Sequence, residues 1–573
     1  MILLMLACAD PPPPEPDWPR TGVALTGATL IDADGARQNM TLVLENDRIF
    51  AVVPAEVTLP ERITRLPMEG RFILPGLIDS HVHLAHGGAP WWVGDTLAAN
   101  LRAQLAFGVT SVQDLGGPTW LFEVRDAIDE GALLGPTMRA TGPMLTAEGS
   151  HPCESTYDRE LCRFAHGDAE GRELLDEGAD ALKIALQDAS FTPWPTPRLD
   201  LADLDALCSL GAPTWVHVGE GADARDAIAA GCRQLAHVPF GDPVAELDAD
   251  VVLSTISAFE GVGWALAGPD SSELVGVDPA VLESWRQARE NPALLLEGWP
   301  EASAEWAAQA RQNLAALIAS GTPVIAGSDA GYTFVPHGLA LHWELEALVA
   351  AGMDEREAIA AATSEPAALL GWDDPGRLQP GTRADLLVLS ADPLEDIRNT
   401  RAVVAVARNG QFHSPDEWLE MPLGRLESGL CLEDADCPDA RCDRVEHRCS
   451  TPCVAWSDDP VCGAEAWCPP ADGLRGEGAC RAEPTCDWRA QDCAPASYAE
   501  TCVPRDRDTA TCWPAGTRGQ GERCGGGCAE GLYCSPVSDL CLALCDPEAP
   551  GCAVGACHTV VDASGAPWFG LCW

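Results

Sequence analysis

Between residues 21 and 66 the apolar positions fall in short runs, VALT at 23–26, LVL at 42–44 and IFAVV at 49–53, separated by Asp34-Gly35 and Asn46-Asp47. Runs of this length closed by turn residues predict strands. From about residue 72 the rhythm changes, and short apolar runs alternate with longer segments of helical period. Strands are predicted at 111–112, 181–186, 214–218, 235–238, 251–254 and 324–326, and helices at 122–129, 222–230, 343–351 and 355–362. Alternation sustained over roughly 300 residues predicts a parallel α/β domain, either a barrel or an open sheet. Strand-like runs return at 384–390 and 402–409, so a small β module is predicted from both flanks of the α/β insert. Beyond about residue 423 the periodicity gives way to cysteine-spaced loops. The predicted organisation is a tether at 1–20, the first segment of the β module at 21–72, the α/β domain at 73–370, the second segment of the β module at 371–414, a linker at 415–430 and cysteine-rich modules at 431–573.

Composition refines this picture in two places. The net charge of -51 repels a phosphate backbone and so excludes nucleic acid as a partner. Of 25 cysteines, 20 lie at or after Cys431, a crowding that belongs to disulfide scaffolds in oxidising compartments. Cys431, Cys437, Cys442, Cys449 and Cys453 are echoed by Cys524, Cys528, Cys534, Cys541 and Cys545, each set ending in C-x6-C-x3-C, which predicts a duplicated module. The tail's binding partner is unknown. The chain opens MILLMLAC and continues into a proline-rich acidic stretch, with polyproline at 11–14. This resembles the end of a bacterial lipoprotein signal, although no basic residue precedes the short apolar run. The resemblance implies export, with lipid on Cys8 anchoring the protein to the cell envelope; Ala9 after the cysteine favours the outer membrane. An ordinary cleaved signal would leave the protein periplasmic or secreted.

The strongest chemical motif is LPGLIDSHVH at 74–83. On a strand, residues two apart face the same side, so His81 and His83 can converge on one metal ion. Lys183, His217, His237 and Asp329 follow at or near the ends of later predicted strands. Each alone would more often be structural: a strand histidine is commonly a satisfied core residue, and a lysine in an apolar strand is costly unless paired or modified. Their succession along the strand ends, where α/β active sites gather, carries the argument.

With these residues in view, the chain from 22 to 412 resembles the amidohydrolase superfamily, in particular its imidazolonepropionase-like and prolidase-like branch. The likeness extends through GVTSVQDLGG at 108–117, GADALKI at 178–184, GSDAG at 327–331, ATSEPA at 362–367 and GTRADL at 381–386. It implies a (β/α)8 barrel flanked by a β-sandwich. It further implies two divalent ions, by habit zinc: one on His81, His83 and Asp329, the other on His217 and His237. Lys183, carboxylated by carbon dioxide, and a hydroxide would lie between them. The implied reaction is hydrolysis of a carbon–nitrogen bond in a small molecule by that metal-bound hydroxide, with Asp329 moving the proton. His151, in LTAEGSHP at 145–152, resembles a substrate-side histidine of this branch, which more often has Gly-Gly-His there. Tyr332, Phe334 and His337 are expected along the pocket, and Cys153 and Cys162 flank a loop they could staple. Two other readings stay open: a one-ion deaminase with Glu220 as proton shuttle, and a non-catalytic surface protein that binds through its tail.

Overall fold

The computed structural model describes residues 18–426, apart from 90–91, 94–96, 154–160, 191, 193–194, parts of 269–297, 373 and 425; beyond 426 it describes the backbone of isolated strands. The first strands are β1 (Gly22–Asp32), β2 (Gly35–Glu45), β3 (Arg48–Pro54), β4 (Ile63–Pro67) and β5 (Phe72–Pro75). They join strands from the far side of the α/β insert in one eight-stranded sheet. The sheet divides at β1, whose first half pairs with β4 and whose second half pairs with β5. One hydrogen-bonded sheet thereby buries two clusters, one around Leu30, Leu42 and Ile73, the other around Val43, Leu59 and Ile63.

Then come β6 (Leu77–Val82), the short pair β7 (His86–Ala89) and β8 (Trp92–Val93), α1 (Leu97–Ala106), β9 (Val109–Asp114), α2 (Leu121–Asp129) and β10 (Thr137–Ala140). β6, β9 and β10 form a parallel sheet of three. A second sheet of seven contains β11 (Met144–Thr146), β12 (Cys162–Phe164), β13 (Leu182–Ala185), β14 (Thr214–His217), β15 (Gln234–Leu235), β16 (Val251–Leu253) and β17 (Val324–Ile325). Its pairings are also parallel. Helices α3 (Ala169–Glu177), α4 (Leu201–Cys208) and α5 (Gly221–Ala229) connect its strands, and α6 (Ile256–Ala267), α7 (Pro279–Glu290) and α8 (Trp299–Ser320) fill the long gap before β17. The alanine-rich α8 and the largely apolar α6 show little hydrophobic periodicity, so pattern alone does not reveal them, whereas α7 is amphipathic. The two sheets meet where Ser80 N donates to Ala326 O (3.2 Å), Asp329 N to His81 O (2.8 Å) and His83 N to Ala330 O (2.7 Å). α9 (Leu339–Ala350), α10 (Glu355–Ala361) and α11 (Ser364–Leu369) then lead back to the flanking sheet at β18 (Leu386–Leu389), β19 (Val403–Arg408) and β20 (Gln411–His413).

The segment read as a linker from 415 begins instead as helix α12 (Pro415–Glu420), in which Trp418 is buried and Leu419 half-buried. Trp418 Nε1 donates to Val406 O (3.1 Å), and Leu423 and Leu426 are covered. A segment can lack periodicity and still pack when each of its apolar side chains finds a slot. All four cysteines between 18 and 426 are paired, Cys153 with Cys162 and Cys208 with Cys232. Beyond 426, two hairpins place Cys442 opposite Cys449 and Cys534 opposite Cys541, equivalent positions of the echoing stretches. Cys8 lies outside the described residues. Among those described, no helix is long and apolar enough to cross a membrane.

Candidate metal centre

Parallel strands bring their C-terminal ends to one side, and there the side chains singled out from sequence meet. β6 is buried along its whole length, so the HVH motif turns inward with no competing exposed face. Gly76, which precedes this strand, is required by close approach, because a Cβ there would lie 2.1 Å from Thr110 Oγ1. His81, His83, Lys183, His217, His237 and Asp329 are all buried, none more than 8% exposed.

The backbone sets the ring tautomers. His81 Nδ1 lies 3.1 Å from Ala236 O, and His83 Nδ1 lies 2.8 Å from Gly116 O. A carbonyl can only accept, so both Nδ1 atoms carry a proton, and a neutral ring then presents its lone pair at Nε2. Those lone pairs point at one carboxylate oxygen, Asp329 Oδ1, at 3.2 and 3.0 Å. Lys183 Nζ is 3.2 Å from His81 Nε2. The rings of His217 and His237 stand 4.3 Å apart, and His237 is 4.9 Å from His81. His217 Nε2 and Asp329 Oδ1 are buried without a hydrogen-bond partner. Acceptors facing acceptors in a dry site repel unless a cation lies between them, and imidazole with carboxylate is a zinc donor set. The residues therefore fit divalent metal. His81, His237 and Asp329 form one group whose ligand atoms all lie within 4.8 Å of one another. That group takes one residue from the second ion's expected set and two from the first's, because the two sets adjoin.

Electrostatics follow from burial. Burial pushes His81, His217 and His237 well below the ordinary histidine range, keeping them neutral. Burial opposes charge on His83 too, but the Asp329 carboxylate outweighs it and raises its pKa. Burial alone would raise Asp329, yet the His81 and His83 imidazoles hold it well below the usual carboxylate range. Lys183 is lowered to about 7, chiefly by burial, with Asp329 and Asp114 acting against the shift.

Of the expected pocket residues, His151 stacks on His217 at 4.7 Å, and the Cys153–Cys162 disulfide closes the loop beside it. Tyr332 donates its backbone N–H to Asp329 O, the same short turn in which Gly331 is required because a Cβ would meet His83 O at 2.3 Å. Phe334 is buried in a separate cluster with Val281 and Trp285. His337 has both ring nitrogens engaged, Nδ1 with Gln104 Nε2 at 3.1 Å and Nε2 with His86 O at 3.2 Å. Glu220 directly precedes α5, and its carboxyl is influenced by burial, Asp242, Asp223 and Asp188 rather than by the histidines.

Sequence reasoning missed the supporting residues. Asp79 accepts from Ser328 N (2.9 Å) and Ser328 Oγ (2.5 Å), tying the HVH strand to the Asp329 turn. Asp114 accepts from Leu84 N (2.7 Å) and Gly116 N (3.2 Å), fixing the carbonyl that orients His83. One signal did lie in composition: of 36 basic residues, Lys183 is the only lysine and all the others are arginine.

The profile of the amidohydrolase family matches residues 72–413. The ochratoxinase of Aspergillus niger is 25% identical over 438 residues, covering 67% of this chain and 85% of that protein. The imidazolonepropionase of Salinispora tropica is 28% identical over 375 residues, covering 61% and 85%. Among solved structures, a Xaa-Pro dipeptidase with methionine bound in its active site superposes with a TM-score of 0.56 at 22% identity, covering 69% of this chain and all of that one, a likeness of fold.

Proposed function

The chain belongs to the amidohydrolase family and is a hydrolase, and from that premise we propose that it cleaves a carbon–nitrogen bond in a small amide, dipeptide or lactam at a two-ion site. One observation carries the reading: a chain that uses arginine at every other basic position keeps one lysine, buried among the histidines. Where only positive charge is wanted this protein uses arginine, so residue 183 is wanted for its primary amine. An amine whose pKa is lowered to about 7 is substantially neutral at neutral pH, the form that adds carbon dioxide to give a carbamate and a proton. The carbamate would offer two anionic oxygens between His81, His83 and Asp329 on one side and His217 and His237 on the other. When bound, the ions would supply Lewis acidity to a carbonyl and bring the pKa of water towards neutrality. Asp329, held ionised, would take the proton of the attacking water and deliver it to the leaving nitrogen. His151, stacked on His217, would face the substrate.

In this reading the two parallel sheets are arcs of one (β/α)8 barrel spanning about residues 73–370, and the divided sheet is its β-sandwich. Names of relatives that refer to ochratoxin and to an imidazolone propionate favour a small amide-like or lactam-like substrate. The paired cysteines favour an oxidising compartment, with the lipid on Cys8 and the partner of the tail as further elements of the proposal. A second reading, the one-ion deaminase with Glu220, draws on the grouping of His81, His237 and Asp329, whose ligand atoms lie within 4.8 Å of one another. Metal analysis of the zinc-loaded protein separates them. We expect close to two ions per chain, cleavage within a panel of N-acyl amino acids, dipeptides and lactams, and partial rescue of Lys183→Ala by short carboxylic acids. One ion, an active Lys183→Ala and ammonia release from aminated heterocycles would establish the deaminase instead.

A further inference from the structure

Thr255 directly precedes α6, where a threonine hydroxyl ordinarily accepts a hydrogen bond from an amide of the first helical turn. Here it makes no such bond. Glu344, reaching across from α9, accepts instead from Ile256 N (2.9 Å), Ser257 N (3.0 Å) and Ser257 Oγ (2.7 Å). The freed Thr255 hydroxyl lies 2.9 Å from His237 Nδ1. Thr255 has φ of +41°, a left-handed conformation that a β-branched residue strongly disfavours. Thr255 N donates to Gly327 O (3.1 Å), which ties the same residue to the segment leading into Asp329. Thr255 and Glu344 are fully buried and His237 nearly so.

A strained β-branched residue persists only where its surroundings over-determine it, and such residues gather at functional sites. An imidazole whose Nδ1–H is held by a fixed acceptor has its Nε2 aimed and made more basic towards a metal. We propose that Thr255 is a positioning residue for His237, held in a strained backbone conformation because Glu344 has taken over its capping role. Glycine would suit the backbone better, and serine would keep the hydroxyl, so threonine's strain is tolerated for the hydroxyl and its rigidity. The proposal rests on His237 being a metal ligand.

The test uses the full chain as wild type, Thr255→Gly, Thr255→Ser and His237→Asn. Zinc affinity is measured by chelator competition, and the unfolding temperature is measured without metal. Thr255→Gly should unfold at or above the wild-type temperature when metal-free, yet bind the weaker zinc roughly 10- to 100-fold less tightly, whereas Thr255→Ser should stay within about threefold. Wild-type zinc affinity in Thr255→Gly, with affinity lost in His237→Asn, would overturn the proposal and leave His237 a ligand. Wild-type affinity in His237→Asn would overturn the ligand assignment and the proposal with it. A clear drop in metal-free unfolding temperature for Thr255→Gly, or no recovery of zinc affinity in Thr255→Ser, would make Thr255 structural only.

Discussion

Two buried basic side chains in this protein have opposite surroundings. Arg408, where the flanking sheet meets the α/β domain, donates to Gly135 O (2.9 Å), Thr137 Oγ1 (2.9 Å), Asn409 Oδ1 (3.0 Å) and Asp385 Oδ2 (2.7 Å). Asp32 in the same sheet accepts from Asp34 N, Arg37 Nη2 and Leu378 N. At the strand ends, Lys183 has His81 Nε2 at 3.2 Å, while lone pairs face lone pairs and two ligand atoms are orphaned. A saturated buried charge locks two units together, whereas an unsaturated one keeps its chemistry available for a group that has yet to bind.

This contrast predicts separable losses. At the site, Asp329→Asn and Lys183→Ala should each lower kcat/KM on an accepted amide by roughly 1000-fold, the scale of acid–base catalysis, while the metal-free protein unfolds at unchanged or higher urea. If either variant unfolds readily without metal, the site contributes to the scaffold and the contrast breaks. At the flanking sheet, Arg408→Met leaves Asp385 unpaired and should cost about 3–5 kcal/mol in urea denaturation. Zinc content per folded chain should not change; its loss would show that the sheet shapes the centre.

His342 sharpens the scaffold side further. It lies fully buried between Thr400 Oγ1 (2.9 Å) and Phe107 O (2.8 Å), and burial lowers its pKa to about 4. Between that value and the ordinary 6.5, the unfolded chain binds the proton more tightly. The contribution is therefore complete above 6.5 and is lost as pH falls towards 4, amounting to at most about 3 kcal/mol. His342→Gln should flatten the acid limb of stability against pH; an unchanged slope would show that His342 does not titrate there. The smallest effect is expected at the far end of the chain. Truncation after Glu427, which retains Trp418, Leu423 and Leu426, should alter turnover on small substrates by less than about twofold if the tail is a separable module. Truncation after Glu420 should destabilise the protein, because it removes Leu423 and Leu426, each worth roughly 1.5–3 kcal/mol of burial.

Much of the site is legible in the sequence, for a local reason. His81 and His83 are two apart on one strand, and Lys183, His217, His237 and Asp329 each follow a short apolar run, so period and order alone suggest convergence. The split β module is likewise legible, since β18 and β19 have the same short apolar pattern as β1 to β3. The segment 415–426 misleads because it has few apolar residues, and only packing reveals that Trp418, Leu423 and Leu426 are buried.

What the sequence determined by itself, then, is the set of candidate site residues, the strand–helix rhythm and the lone lysine, all properties of composition and short spacing. The tertiary structure alone decided which carbonyls set the tautomers of His81 and His83, and that Glu344 would cap α6 and so release Thr255 to His237. It also decided that Cys208 would pair with Cys232 across the ends of α4 and α5. These are contacts between residues from 18 to 155 positions apart along the chain, and apart from the disulfide, each has a backbone carbonyl, a backbone amide or a hydroxyl on one side. Such groups occur at nearly every position, so only three-dimensional packing selects which of them meet.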